Sequence, residues 1–394
     1  MTLPVADCRA AARRRLPRLL YNYIDGGSYD EVTLARNVQD MQALTLRQRV
    51  MRDSSRLSKE VELLGQRLAM PVALGPVGFS GMYARRGEVQ AARAAHAAGL
   101  QFCLSTLSIC SLEEVTAACE RPIWLQLYLL RDRGFCAAMI ERAKAAKCSV
   151  LMLTVDLPVA GARYRDFRTG MSGPPGLLGQ WRRLEAALHP RWLWDVWLRG
   201  RPHSFGNIPK EFLARGGIGG FASWVAKNFD PSITWKDLEW VRARWDGPIL
   251  VKGILDADDA HDAIAAGADA LVVSNHGGRQ LDGVASGIAA LPAVADRVAG
   301  RVPVLMDGGV RSGLDVLRAL ALGARACLIG RAWAYALGAG GGPAVEEMLK
   351  TMRAELGAAM TLTGCADVRQ ASRALLSDSR GLRMPAADEL KTCV

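Results

Sequence analysis

The sequence predicts a (β/α)8 barrel with a long insertion after its fourth strand. Eight short apolar runs carry the prediction: Val72–Gly75, Phe102–Ser105, Trp124–Tyr128, Val150–Val155, Ile249–Lys252, Ala270–Ser274, Val304–Met306 and Cys327–Ile329. They lack polar alternation, as strands buried on both faces of a parallel sheet do. With one exception their starts lie about 20 to 35 residues apart, room for one strand and one helix each. The stretches between them, such as Gly87–Ala98 and Asp256–Ala266, stop before a glycine (Gly99, Gly267), where helices commonly end. A doubly wound sheet would use the same runs; eight of them favour the barrel.

The exception is the gap between the fourth and fifth strands, whose starts are 99 residues apart. Trp235–Trp245 reads as the ordinary fourth helix, which leaves an insertion from about Leu157 to Ile233. Within 171–229 lie five of the ten tryptophans: Trp181, Trp192, Trp194, Trp197 and Trp224. Eight basic residues (Arg182, Arg183, Arg191, Arg199, Arg201, Lys210, Arg215, Lys227) face three acidic ones (Glu185, Asp195, Glu211), a net of +5. Trp mixed with Arg suits a bilayer interface. A lid packing its Trp side chains on the barrel is the alternative, and both readings can hold for different parts of the segment.

Composition bounds the remaining options. The chain has 394 residues, half of them hydrophobic, too many for wholesale disorder. Its 40 glycines show no triplet period, which excludes collagen. The formal net charge of +11 calls for nucleic acid, an anionic membrane surface or acidic small molecules. Nine scattered cysteines without a CxxC pair predict no disulfide framework and fit a reduced cytosol. Arg13-Arg14-Arg15 is not followed by an apolar signal-peptide core, and no run approaches the roughly 20 apolar residues of a membrane span. The sequence therefore reads as soluble or bound at a membrane surface.

In such a barrel the active site lies at the C-terminal strand ends. Here those ends carry, in turn, Pro76-Val77-Gly78, Ser105, Gln126 with Tyr128, Thr154 with Asp156, Lys252, Ser274 with Asn275-His276, Asp307-Gly308-Gly309, and Gly330-Arg331. One polar residue at a strand end is a loop start; eight ends in succession form a site. The last two ends offer backbone N–H groups at helix N-termini, with Arg331 and Arg311 as fork donors, a combination suited to phosphate. Neither turn is a GxGxxG dinucleotide fingerprint, and the Gly338–Gly342 run fails that test too and reads as a loop. The sharpest signal runs from Ser274 to Gly283. His276, one of five histidines, follows a strand among glycines and is a candidate base. Arg279 beside it can pair with a carboxylate, and Asp156 can orient the imidazole. The other histidines are dispersed, so no metal site is expected.

These segments, together with Leu16-Pro17, Tyr21-Asn22-Tyr23 and Asp25-Gly26-Gly27, resemble the FMN-dependent L-2-hydroxy acid dehydrogenase and oxidase family over nearly the whole chain. The stretches Gly81–Glu88 and Asn228–Ser232 look most like its bacterial membrane-associated L-lactate dehydrogenase branch. The resemblance implies FMN at the barrel mouth. Pro76, Val77, Gly78, Ser105, Gln126 and Thr154 would line the flavin ring, with Lys252 at its pyrimidine end. Ser274, Asp307, Gly308, Gly309, Arg311, Gly330 and Arg331 would hold ribityl and phosphate. Tyr23, Arg163 and Arg279 would grip the substrate carboxylate, Tyr128 would meet the hydroxyl, and His276 would take a proton with Asp156 behind it. The implied reaction is oxidation of L-lactate to pyruvate, with (S)-mandelate or another L-2-hydroxy acid as alternatives. A non-catalytic FMN-binding barrel is a remote one. Gly78, where the oxidases typically have Ala, favours a dehydrogenase over a peroxide-forming oxidase. Leu107 and Ala160 imply an apolar pocket wider than glycolate needs. The partners expected are quinone or another respiratory acceptor, the cytoplasmic face of the plasma membrane, and further copies of the chain in a homotetramer. Nucleic acid is not expected.

Overall fold

The computed structural model describes residues 3–169, 171, 185–208 and 227–377. Trp181, Trp224, Arg182, Arg183, Lys210, Glu211 and Arg215 of the insertion lie outside them, as does the tail beyond Ser377.

Eight parallel strands close into a barrel: β3 (Val72–Leu74), β4 (Gln101–Ser105), β5 (Trp124–Tyr128), β6 (Val150–Thr154), β7 (Ile249–Ile254), β8 (Ala270–Val273), β9 (Val304–Met306) and β10 (Ala326–Ile329). Each pairs with the next, and β10 returns to β3. All eight predicted runs are thus strands, and nearly every residue in them is buried. This explains their unbroken apolar composition, since the barrel interior and the helices cover both faces. A small antiparallel hairpin, β1 (Val61–Leu63) and β2 (Gln66–Leu68), precedes the barrel.

Three helices come first: α1 (Val5–Arg15), α2 (Arg18–Asp25) and α3 (Val32–Ala43). One helix then follows each barrel strand: α4 (Gly87–Ala97), α5 (Leu112–Ala117), α6 (Arg133–Ala145), α8 (Trp235–Arg242), α9 (Ala257–Ala265), α10 (Gly287–Val298), α11 (Gly313–Ala321) and α12 (Arg331–Thr363). The short α7 (Tyr164–Arg168) belongs to the insertion. Several starts are fixed by side-chain caps, with Ser111, Asp132, Asp256, Ser286 and Ser312 each accepting a first-turn backbone N–H.

The Gly338–Gly342 run is not a loop. It lies within α12, whose backbone leaves helical geometry only at Gly340 and Gly341. Close packing fits the first of these glycines: a Cβ at Gly338 would come 2.7 Å from Leu16 Cδ1, which would have to shift. Gly341 takes φ +69°, a left-handed value that favours glycine.

The N-terminal helices are clamped to the barrel by one buried carboxylate. Asp25, at the end of α2, accepts from Arg9 Nε at 2.6 Å, Arg165 Nη1 at 2.9 Å, Tyr335 Oη at 2.7 Å and Tyr21 Oη at 3.2 Å. It thereby ties α1, α2, α7 and α12 together. Burial works against its charge, but hydrogen bonds from Arg9 and Tyr335 outweigh that and hold the carboxyl well below the usual carboxylate range. Asp25→Asn should destabilise the protein by about 3 kcal/mol at neutral pH in urea unfolding. With its folded pKa depressed, the unfolded chain binds the proton more readily. The deficit of the variant should therefore be constant above the ordinary value of 3.8 and shrink only as pH falls below it.

Candidate active site

The C-terminal mouth of the barrel opens into a cleft with an empty volume of about 1490 Å³, including its entrance. The predicted residues Pro76, Val77, Gly78, Ser105, Tyr128, Thr154, Lys252, Asp307, Gly308, Gly309, Arg311, Gly330 and Arg331 all line it. So do Tyr23, Arg163, His276 and Arg279. Gln126, Asp156 and Ser274 stand behind this lining. Gln126 Oε1 accepts from Ser105 Oγ at 3.1 Å, and Ser274 Oγ meets Lys252 Nζ at 2.9 Å.

Asp156 Oδ1 lies 2.8 Å from His276 Nδ1. This contact depends on backbone geometry at two places. His276 adopts φ +56°, unusual outside glycine, and its N–H is held by Ser274 Oγ at 3.1 Å. On the strand between them, β7 shifts register at Gly253, where φ is +119° and a Cβ would stand 2.6 Å from Asp156 Cβ. Burial holds the imidazole below its ordinary 6.5, with Asp156 pulling the other way. Burial also opposes the charge on Asp156, but His276 and Lys252 outweigh it and keep the carboxylate ionised. An ionised Asp156 fixes the proton on Nδ1 and leaves Nε2 as a proton acceptor. Burial raises the Tyr128 phenol, so that hydroxyl remains a donor.

Opposite this pair sits a cationic clamp. The Arg279 guanidinium stacks 4.6 Å over the Tyr23 ring and donates to the carbonyls of Tyr23 (2.6 Å) and Gly26 (3.0 Å). Arg163 Nε reaches the Arg279 carbonyl at 3.3 Å. Burial and the neighbouring Arg279 both lower Arg163. Asp166, a buried carboxyl on α7, shares this wall and is raised by burial.

The other end of the cleft holds two more partly buried cations. Arg331 donates to the carbonyls of Ile24 (2.9 Å), Gly277 (2.7 Å) and Gly26 (2.8 Å), and burial pushes it down to about 9. Arg311 donates to its neighbour's carbonyl and is likewise lowered by burial. Neither guanidinium has a carboxylate at hydrogen-bond distance among the described residues. Both stand where the Gly308–Gly309 turn and the N-terminus of α12 meet. A phosphate there satisfies both and the helix end. Along the cleft, Gln126 Nε2, Thr154 Oγ1 and Asp307 Oδ1 are buried polar atoms without partners. They match the polar edge of a flavin and a ribityl chain. Lys252, 3.2 Å from Asp307, keeps its charge: burial lowers it, but Asp307 and Asp156 more than compensate.

A family model for FMN-dependent dehydrogenases matches residues 12–378. The chain belongs to this FMN-dependent dehydrogenase family. It is therefore a flavin-dependent oxidoreductase, and the residues just described fit its FMN. An L-lactate dehydrogenase of Acinetobacter baumannii is 57% identical over 362 residues, covering 92% of this chain and 94% of that one. The structure of a monotopic membrane protein, (S)-mandelate dehydrogenase, superposes with a TM-score of 0.88 at 35% identity, covering 95% of this chain and 98% of that one. A mandelate oxidase structure with (S)-4-hydroxymandelic acid gives 0.82 at 38% identity, with 95% and 98% covered.

Sequence reasoning missed Asp166, Phe167, Met171 and Tyr83, all of which line the cleft of this FMN-dependent dehydrogenase. The first three follow Arg163 within one turn or two, so the anchor was visible and its neighbours were not. Gly309 offers a direct check on the phosphate end. Its φ is +86°, and a Cβ would stand 1.9 Å from the Asn37 carbonyl oxygen. Gly309→Ala should purify largely without flavin, read from visible absorbance per protein, while the wild-type protein should purify yellow.

Proposed function

We propose that this FMN-dependent dehydrogenase oxidises L-lactate to pyruvate and delivers the electrons to the respiratory chain through quinone. The supporting observation is the pairing of a partly buried Arg163–Arg279–Tyr23 clamp with the His276–Asp156 contact in one cleft. The clamp suits a carboxylate; a 2-hydroxy acid then presents its hydroxyl carbon to His276. Resemblance to L-lactate dehydrogenases favours lactate within that class.

In this reading Arg163 and Arg279 bind the carboxylate through forked hydrogen bonds that lysine would not reproduce. Such positioning contributes several kcal/mol, roughly 7–11 in the best cases. Tyr128 donates to the substrate oxygen. His276 Nε2 receives a substrate proton, and Asp156 orients the ring and stabilises its protonated form. FMN held here would supply the two-electron acceptor, and Lys252 would offer it a positive charge.

A second reading, (S)-mandelate oxidation, draws on the structural likeness to (S)-mandelate dehydrogenase and on the apolar wall of Leu107, Leu157 and Ala160, which tolerates a larger side chain.

The insertion supports a peripheral place on the cytoplasmic face of the plasma membrane, with residues 171–229 serving the single barrel domain as lid and membrane contact. Trp192 is buried and donates to the Met82 carbonyl at 2.8 Å, and Phe205 meets Phe79 edge to face. Trp194 and Trp197, by contrast, are 61% and 40% exposed beside Leu198. One (S)-mandelate dehydrogenase of similar structure is a monotopic membrane protein. No helix among the described residues is long and apolar enough to cross a membrane.

Anaerobic mixing tests the reaction. L-lactate should bleach the flavin faster than (S)-mandelate, and a quinone should restore the colour faster than air. Faster bleaching by (S)-mandelate would promote the second reading, and rapid recovery in air would make the protein an oxidase. His276→Gln should keep its flavin but bleach about 10²–10⁴-fold more slowly. Because burial depresses the imidazole, the acid limb of kcat/KM should fall below 6.5. Asp156→Asn removes a carboxylate that raises it and should move that limb lower still. For the membrane, Trp194→Ser leaves the packing of Trp197 on the buried Trp192 in place and should shift the protein from the membrane pellet toward the supernatant. Unchanged pelleting counts against this surface.

A further inference from the structure

We infer that Asn37, on α3 and outside the barrel, is a positioning residue that holds the His276 loop in its working conformation. The inference rests on the reading of His276 as the base.

The loop is costly to hold. His276, Gly277 and Gly278 have φ of +56°, +65° and +72°, three left-handed residues in succession. A non-glycine residue in that region persists only where its surroundings over-determine it. Asn37 supplies the constraint. It is 1% exposed, and its amide forms a reciprocal pair with Asn275: Asn37 Nδ2 donates to Asn275 Oδ1 and Asn275 Nδ2 donates to Asn37 Oδ1, each at 2.9 Å. Asn275 Oδ1 also accepts from Gly278 N at 3.1 Å, closing a ring around His276. Asn37 Oδ1 accepts from Gly287 N at 3.2 Å, which anchors the far end of the loop at the start of α10.

The same residue abuts the turn after β9. The Asn37 carbonyl fills the space a Cβ would need at Gly309, and its side-chain oxygen lies 3.1 Å from a Cβ built at Gly308. Asn37 is therefore a wedge between the His276 loop and the phosphate-end turn. Both donor and acceptor are used, so the pair requires an amide at each position.

The test uses the full-length, flavin-loaded protein with Asn37→Ser, Asn275→Ser, the double variant and Asn37→Asp, all checked for folding by urea unfolding. The readouts are kcat per bound flavin, KM for L-lactate and the FMN dissociation constant by fluorescence. Each single Ser variant should lose roughly 10- to 100-fold in kcat per bound flavin, as a displacement near 1 Å does. KM should stay within about threefold, since the Arg163–Arg279 clamp is untouched. The double variant should lose no more than the worse single, because the two amides act as one unit. Asn37→Asp sets an oxygen against Asn275 Oδ1 and should be worse than Asn37→Ser. FMN should dissociate more readily in every Asn37 variant.

A purely structural residue lowers stability but leaves each flavin-loaded molecule with native turnover. A kcat per bound flavin within about twofold of wild type in the folded variants overturns the proposal, as do losses that multiply in the double variant. Should the Asn37 variants fail to fold, Asn275→Ser carries the same comparison. If His276→Gln retains activity, the reading of the base fails. If His276→Gln is inactive and the Asn37 variants turn over normally, only the present inference fails.

Discussion

Five cations, Lys252 buried and four arginines partly buried, converge on one cleft, and much of the molecule is arranged to keep them charged. Lys252, Arg163, Arg279, Arg311 and Arg331 face Asp156, Asp166 and Asp307, a net of two positive charges with His276 neutral. Burial lowers Arg163, Arg311 and Arg331. Arginine tolerates this because its pKa starts so high. A phosphate monoester brings roughly −2 and a carboxylate one charge more. The cleft is thus poised for the two anions of its cofactor and substrate.

Backbone carbonyls hold the guanidiniums of Arg279 and Arg331 in place. The Gly26 carbonyl accepts from both Arg279 and Arg331, and those of Tyr23 and Ile24 each take one more bond. These carbonyls lie at the end of α2, outside the barrel. The segment works only if α2 is docked, and Asp25 docks it, one residue before Gly26. Ser28 extends the join by bonding to the carbonyls of Gly278 and Gln280. The N-terminal helices therefore form one wall of the site.

This division explains what the sequence disclosed. All eight strands were legible because burial on both faces leaves an unbroken apolar run. The polar residues at their ends were legible because the barrel puts every such end at one mouth. Asn37 was not, because its partners lie more than two hundred residues away and no period marks it. Asp166 was hidden for a related reason: only the tertiary fold brings α7 against Arg279. The Gly338–Gly342 run misled because glycine serves turns and close helix packing alike, and the sequence does not distinguish them.

The insertion shows the same mixture at larger scale. Its described parts carry Arg163 and Asp166 into the cleft at one end. Trp192 is fastened to the loop after β3, and Asn207, itself buried, donates to Ser108 Oγ at 2.9 Å and accepts from Leu112 N at 2.8 Å in the loop after β4. Trp194 and Trp197 are therefore exposed on a segment pinned on both sides to loops that also bear Gly78 and Leu107. Apolar surface held this way costs nothing in lost mobility when a partner covers it, unlike a flexible arm that must first be ordered. The tryptophan-rich composition that drew notice in the sequence thus serves two ends, with Trp192 spent on anchoring and Trp194 and Trp197 left for contact.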